Sequence, residues 1–201
     1  LCIGILRSMS ESAEFIRLDA RSVKVLAHPL RSRLVGALRM QGPSTATALA
    51  ATLGTNSGAT SYHLRKLAEA GLVVDTGEGD AKSRVWAAAS ELTQFEASDF
   101  DDDDDAASAM GWLTRDWLRH FTDKYGRWLD VQGNWPAVWR DRASMNDDMV
   151  VVTADQLREM HHEIDAVIAR YRRVGQGNPE AKRIAAYLVF YPVDMDKPPR
   201  R

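Results

Sequence analysis

The chain has 201 residues, of which 45% are hydrophobic and 27% charged, with a net charge of −2. That is enough apolar material for a buried core in one large or two small domains, and no apolar run approaches the roughly 18 residues of a membrane-spanning helix. The charge is uneven, +2 over residues 9–93 and −5 over 94–201, a mild excess that suits a focused contact with an anionic partner and argues against a general nucleic-acid coat.

Residues 1–8 precede Met9 and are expected to be a non-native leader. Cys2, the single cysteine, lies in that stretch, so a chain starting at Met9 would have neither disulfides nor thiolate metal sites. A cytoplasmic location is expected, because no signal-peptide pattern is evident.

Residues 9–93 carry the clearest pattern. Ser44 is placed to cap a helix over Thr45–Leu53, and Gly54 to end it. After a short turn over Gly54–Asn56, Asn56 or Ser57 can cap a second helix that Gly71 terminates. Two short helices joined by a tight glycine-containing turn form a helix-turn-helix. In the second helix Leu64 and Leu67, with Ala68 beside them, make the inward stripe. Asn56, Ser57, Gly58, Thr60, Ser61, Tyr62, Arg65 and Lys66 are read as its outward, DNA-facing set: small residues admit the backbone to a major groove, and polar ones reach bases and phosphates. His63 is read as packing or contacting a phosphate, or else a base. Arg31, which follows Pro29 at a helix start, is read as a DNA contact or a structural hydrogen bond.

A wing is expected next. Leu72–Val74 and Lys82–Ala87 read as strands around a turn-rich tip with Gly77 and Gly79, where Lys82 and Arg84 are candidate phosphate contacts. Residues 94–105, with Asp99 and the run Asp101–Asp105, read as an acidic linker and a favourable helix start.

Beyond it, Ala106–Leu129 reads as a long helix striped by Met110, Leu113, Trp117, Phe121 and Trp128, and widened by Trp112, Leu118, Tyr125 and Leu129. Trp112, Trp117, Phe121 and Trp128 are candidate dimer or effector residues. Gly133-Asn134 breaks this helix, and Trp135–Trp139 starts a short one. Met149–Val152 reads as a strand. Thr153 and Gln156 form a capping box for a helix striped by Leu157, Met160, Ile164, Val167 and Tyr171. Ile184–Tyr191 reads as a buried strand, which would complete a strand-helix-strand unit before a polar tail over 194–201.

The fold class expected is therefore mainly α with small β: an N-terminal winged helix-turn-helix plus a C-terminal α+β dimerisation or sensor region over 106–193. The segments Val25–Leu34, Ala48–Ala50, Ser61–Leu67 and Ala70–Val73, in that order, resemble the ArsR-type winged-helix repressors of bacteria across residues 19–93. The resemblance implies a homodimeric repressor bound to double-stranded DNA at an inverted-repeat operator. The paired cysteines of many such metal sensors are absent here. His161, His162, Glu163 and Asp165, with His120, are poorly spaced for zinc because adjacent histidines leave a helix in different directions. No metal and no cofactor is expected. No nucleophile–base pair, phosphate loop or carboxylate pair stands out, so no enzymatic activity is expected. An apolar small-molecule effector is one reading of the aromatic cluster. The alternatives are a temperature-sensing repressor without a ligand pocket and a winged-helix protein-interaction module.

Overall fold

The structure, a computed structural model, describes residues 15–80 and 83–199. The leader expected over 1–8 and the wing residue Lys82 lie outside the described residues.

Helix α1 (Ala20–Leu26) starts where the Asp19 carboxylate accepts the Ser22 amide, and helix α2 (Pro29–Gln41) where His28 Nδ1 accepts the Leu30 amide, with Pro29 in the first turn. Proline suits that position, since the first-turn amides have no intrahelical partner. Helix α3 (Ala46–Leu53) is capped by Thr45, one residue later than expected; Ser44 instead forms the short strand β2 with Thr45. Gly54, at φ 64°, ends α3 in the left-handed conformation that glycine adopts without steric cost. Asn56 caps α4 (Ser57–Glu69) by accepting the Ala59 amide at 2.7 Å.

The wing is the antiparallel pair β3 (Val73–Asp75) and β4 (Val85–Ala88), and β2 joins its far edge to give the order β2-β4-β3. Both wing strands begin later than expected, because Leu72 turns into the core behind α4 and Asp80 and Ser83 bridge across the tip. A second pair was not legible from the sequence: β1 (Phe15–Arg17) runs parallel to β5 (Leu92–Gln94), closing the two ends of the winged module onto each other.

The core gathers Val23 and Leu26 of α1, Leu34, Val35 and Leu38 of α2, Leu49 of α3, Leu64 and Leu67 of α4, Leu72, Val73 and Trp86. It continues into α5 (Asp104–Val131) through Ala106, Met110, Leu113 and Trp117. The acidic stretch supplies the helix start expected of it, with Asp104 and Asp105 exposed in the first turn of α5, and it also packs against the module. Phe100 is buried in the same core, Asp99 pairs with Arg17, and Asp103 both caps α5 and pairs with Lys24 at 2.9 Å. After α5 come a 3-10 turn and the short α6 (Ala137–Arg140), where Trp128, Trp135 and Trp139 meet edge to face at 5.4 and 6.3 Å.

Helix α7 (Ala154–Tyr171) opens with the expected capping box: the Gln156 amide donates to Thr153 Oγ1, and the Thr153 amide donates to Gln156 Oε1. The two strands expected to flank it are absent. Residues 149–152 and 184–191 are irregular and largely exposed, with Val151 at 99%. The chain divides into two compact units between Asp165 and Ala166. The described residues are mostly helical, with two small sheets among them.

Candidate nucleic-acid interface

One side of α4 packs into the core, and another is open to solvent. Leu64 and Leu67 face the core, and Thr60 joins them at 0% exposure, its hydroxyl donating to the Asn56 carbonyl at 3.0 Å. This corrects the reading of Thr60 as a DNA contact: the side chain spends its one donor inside its own first turn. The open face runs through Gly58, Tyr62 and Arg65 at the 4-3 spacing of one helix side, with Ser57 exposed at its start and Ser61 half-buried beside it. Tyr62 is 51% exposed. The smallest residues sit at the N-terminal end, where the helix can approach a ligand most closely, and a phenol, a guanidinium and hydroxyls follow. Those groups can donate to base-edge acceptors and phosphate oxygens.

The side of α4 next to α2 is built differently. His63 stacks on His28 with ring centroids 4.4 Å apart, and Tyr62 meets His63 edge-on at 5.2 Å. Nδ1 of His63 is buried and has no hydrogen-bond partner among the described residues. Burial pushes the pKa of His63 down, and His28 and Arg31 push it further; burial and Arg31 do the same to His28. Both imidazoles are thus held neutral, and His63 is in the first instance a packing residue. Arg31 lies against this pair with Nε buried and unpartnered, and burial lowers its pKa too. His28 is the member of this cluster that sequence reasoning missed. The His-Pro step at a helix start was its available signal, since a side-chain acceptor is expected just before a first-turn proline.

The remaining candidates sit at the edges. Lys66 bonds Glu69 at 2.7 Å, and that hydrogen bond raises its pKa. Arg21 ties down the end of α4 by donating to the Glu69 carbonyl at 3.0 Å. On the wing, Arg84 lies 3.4 Å from Asp75, both exposed. An exposed pair of this kind is worth about 0–1 kcal/mol, so it can open for a phosphate. Gly77 takes a positive φ of 73°, and a Cβ on Gly79 would collide with the Ser83 carbonyl, so the tip needs both glycines.

The aromatic candidates on α5 separate into two groups. Trp117 is core: it is buried, and its indole N–H donates to the buried Ser32 hydroxyl at 2.9 Å. Trp112 and Phe121 pack partly against it, and Trp128 belongs to the three-tryptophan cluster. The dimer or effector reading therefore loses Trp117. An open depression of about 640 Å³ lies where Arg33 of α2 meets α5, but it is lined further by His120, Thr122, Asp123, Gly126, Arg127 and Asp130, and by none of the tryptophans.

Two helices at a tight turn, a free face on the second and a glycine-tipped antiparallel wing define a winged helix-turn-helix. Residues 26–76 match a helix-turn-helix domain family. No curated protein matches the chain. Among solved structures the chain is similar to Lactococcus lactis ZitR, in an apo form of a mutant, at 12% identity over 72% of this chain and 83% of that one. The TM-score is 0.31, a likeness too loose to bear on the fold. No helix of the described residues is long and apolar enough to cross a membrane.

Proposed function

We propose that the protein is a homodimeric transcriptional repressor of the ArsR type, acting in the cytoplasm as a regulator and not as an enzyme. Helix α4 enters the major groove of each half-site and the wings flank it. Two-fold symmetry then calls for an inverted-repeat operator with half-site centres about 10 base pairs, or a multiple, apart. A signal acting on the chain beyond residue 106 releases the DNA by changing the spacing of the two recognition helices, which requires the signal to favour one dimer geometry over the other.

The observation that carries this reading is the division of labour on α4. Its inner face is locked by Thr60, Leu64 and Leu67, while Gly58, Tyr62 and Arg65 remain outward on a helix fastened at both ends. A protein-docking helix of this size would ordinarily present apolar anchors at that spacing, and this face presents a glycine, a phenol and a guanidinium.

The test is affinity for the protein's own upstream DNA against random DNA across a salt series. Tight specific binding with a steep salt slope is the expected result. Arg65→Ala should cost about 1–3 kcal/mol of specific affinity while leaving random-DNA binding nearly unchanged. Equal, weak binding to both DNAs at low salt would count against the proposal.

A further inference from the structure

Helix α7 carries an apolar stripe that the winged helix-turn-helix does not need for its own fold. Leu157, Met160, Ile164, Val167 and Tyr171 recur at 3-4-3-4 spacing, the seam of a coiled coil. No residue of α7 is fully buried: Leu157, Met160 and Ile164 are half-buried, and Val167 and Tyr171 are exposed. The charges along the helix are sorted. Asp155, Glu159 and Glu163 occupy the first part, where Arg158 pairs with Asp155, whereas Arg170 lies at the end. A helix acidic at one end and basic at the other, with an apolar seam between, is complementary to itself when reversed.

We infer that the occupant of this face is α7 of a second copy of the chain, running antiparallel. This deepens the homodimer reading above and rests on it. The charges also select a register. When Ile164 lies opposite Val167 of the second copy, Met160 meets Tyr171, and Glu163 flanks the seam opposite Arg170; the two-fold axis repeats each contact. A parallel pairing would set Glu163 beside Ile168 and form no such ion pair. Antiparallel packing also places each helix's positive N-terminal end against the other's negative C-terminal end. An 18-residue helix offers a short seam, at or below the ~1,200 Å² of weak specific interfaces, so flanking charges are a large share of what holds it.

The experiment is a charge-swap cycle on the full chain, read by sedimentation equilibrium. Glu163→Arg and Arg170→Glu each place like charges opposite one another twice and should weaken self-association by about tenfold or more. The double variant restores opposite charges in reversed order and should recover most of the wild-type affinity. Thermal melts by circular dichroism establish that each variant is folded, as expected for exposed positions. Single variants that associate like wild type, or a double variant as weak as the singles, would overturn the α7 pairing while leaving the homodimer intact. A wild-type chain that stays monomeric at high concentration would overturn both. Unchanged mass with the seam's amides slow to exchange would assign the face to the chain's own apolar segment 184–191, again overturning the proposal.

Discussion

The module from β1 through α5 and the stretch from residue 141 onward have similar proportions of apolar residue and reach opposite outcomes. In the first, helices from five places in the chain share one core with Leu34, Leu49, Leu64, Leu67 and Leu113 fully inside. In the second, no described residue from 141 to 199 is buried, although Met149–Val152 and Ile184–Tyr191 are as hydrophobic as any core strand. Helix α7 nonetheless forms, and the two apolar runs beside it do not become strands. A helix satisfies its own backbone, whereas a strand needs a neighbouring ladder. The difference teaches that apolar content alone does not make a core; long-range partners do.

The largest effect expected follows from that contrast. Leu64→Ala removes a side chain that lies fully inside the shared core and should cost about 2–5 kcal/mol in urea unfolding. Val151→Ala and Leu188→Ala, at exposed positions, should stay within about 0.5 kcal/mol of wild type. A cost above that for either exposed position would mean the C-terminal stretch owns a core that the contrast denies. Trp117→Phe comes next. It keeps most of the packing but leaves the Ser32 hydroxyl without its 2.9 Å indole donor in a buried place, a loss of about 1–3 kcal/mol. A neutral Trp117→Phe would mean that packing alone, and not the bond to Ser32, fixes Trp117 in the core.

What could be read from the sequence divides along the same line. The helix-turn-helix was legible because its signals are local: Asn56 as a cap, Gly54 and Gly71 as stops, Leu64 and Leu67 at helical spacing. The capping box of Thr153 and Gln156 was legible for the same reason. The β1–β5 pair was not, since its strands are three residues each and separated by the whole winged module. The acidic run was legible as a helix start, since Asp103 caps α5 and Asp104 and Asp105 open it, but its long-range contacts were not. Its Asp99 and Asp103 have partners on distant segments, Arg17 and Lys24, and its Phe100 points inward. Within the interface, helical periodicity sorted Tyr62 and Arg65 outward correctly. It failed at Thr60, a polar residue whose hydroxyl is satisfied by its own helix, and it could not see that His63 had an aromatic neighbour waiting in His28.

Acid should separate the two regions again. Burial is the main force holding His120 of α5 at a pKa of about 4, with Lys124, Arg33 and Arg127 adding to it and Asp116 opposing. An unfolded chain binds that proton near 6.5, so the folded state favours the neutral ring. The associated stability is complete above pH 6.5 and is lost as the pH falls toward 4. Because the residue is only partly buried, solvent screening trims the contribution to about 1–2 kcal/mol. His120→Gln should narrow the difference in unfolding free energy between pH 7 and pH 4.5 by that amount. An unaltered pH slope in the variant would place the acid sensitivity elsewhere, with His28 and His63 the next to test, since both are held neutral by burial and by Arg31.

The smallest effect tests the helix that forms without a core. Thr153→Ala removes the side-chain acceptor of the capping box and leaves the Gln156 amide open to water, a cost of about 1 kcal/mol to α7. In the winged module a lost cap would be shared with the whole cooperative core. In α7, where nothing is buried within one chain, the cost should stay with the helix and its pairing. Amides of α7 should exchange about fivefold faster, the fold equivalent of that energy, while those of α2 and α4 keep their protection and the main thermal transition stays in place. If α2 and α4 lost protection in step with α7, the helix would belong to the cooperative unit of the regulator module, and the contrast between a region held by long-range packing and one held by local signals would have to be given up.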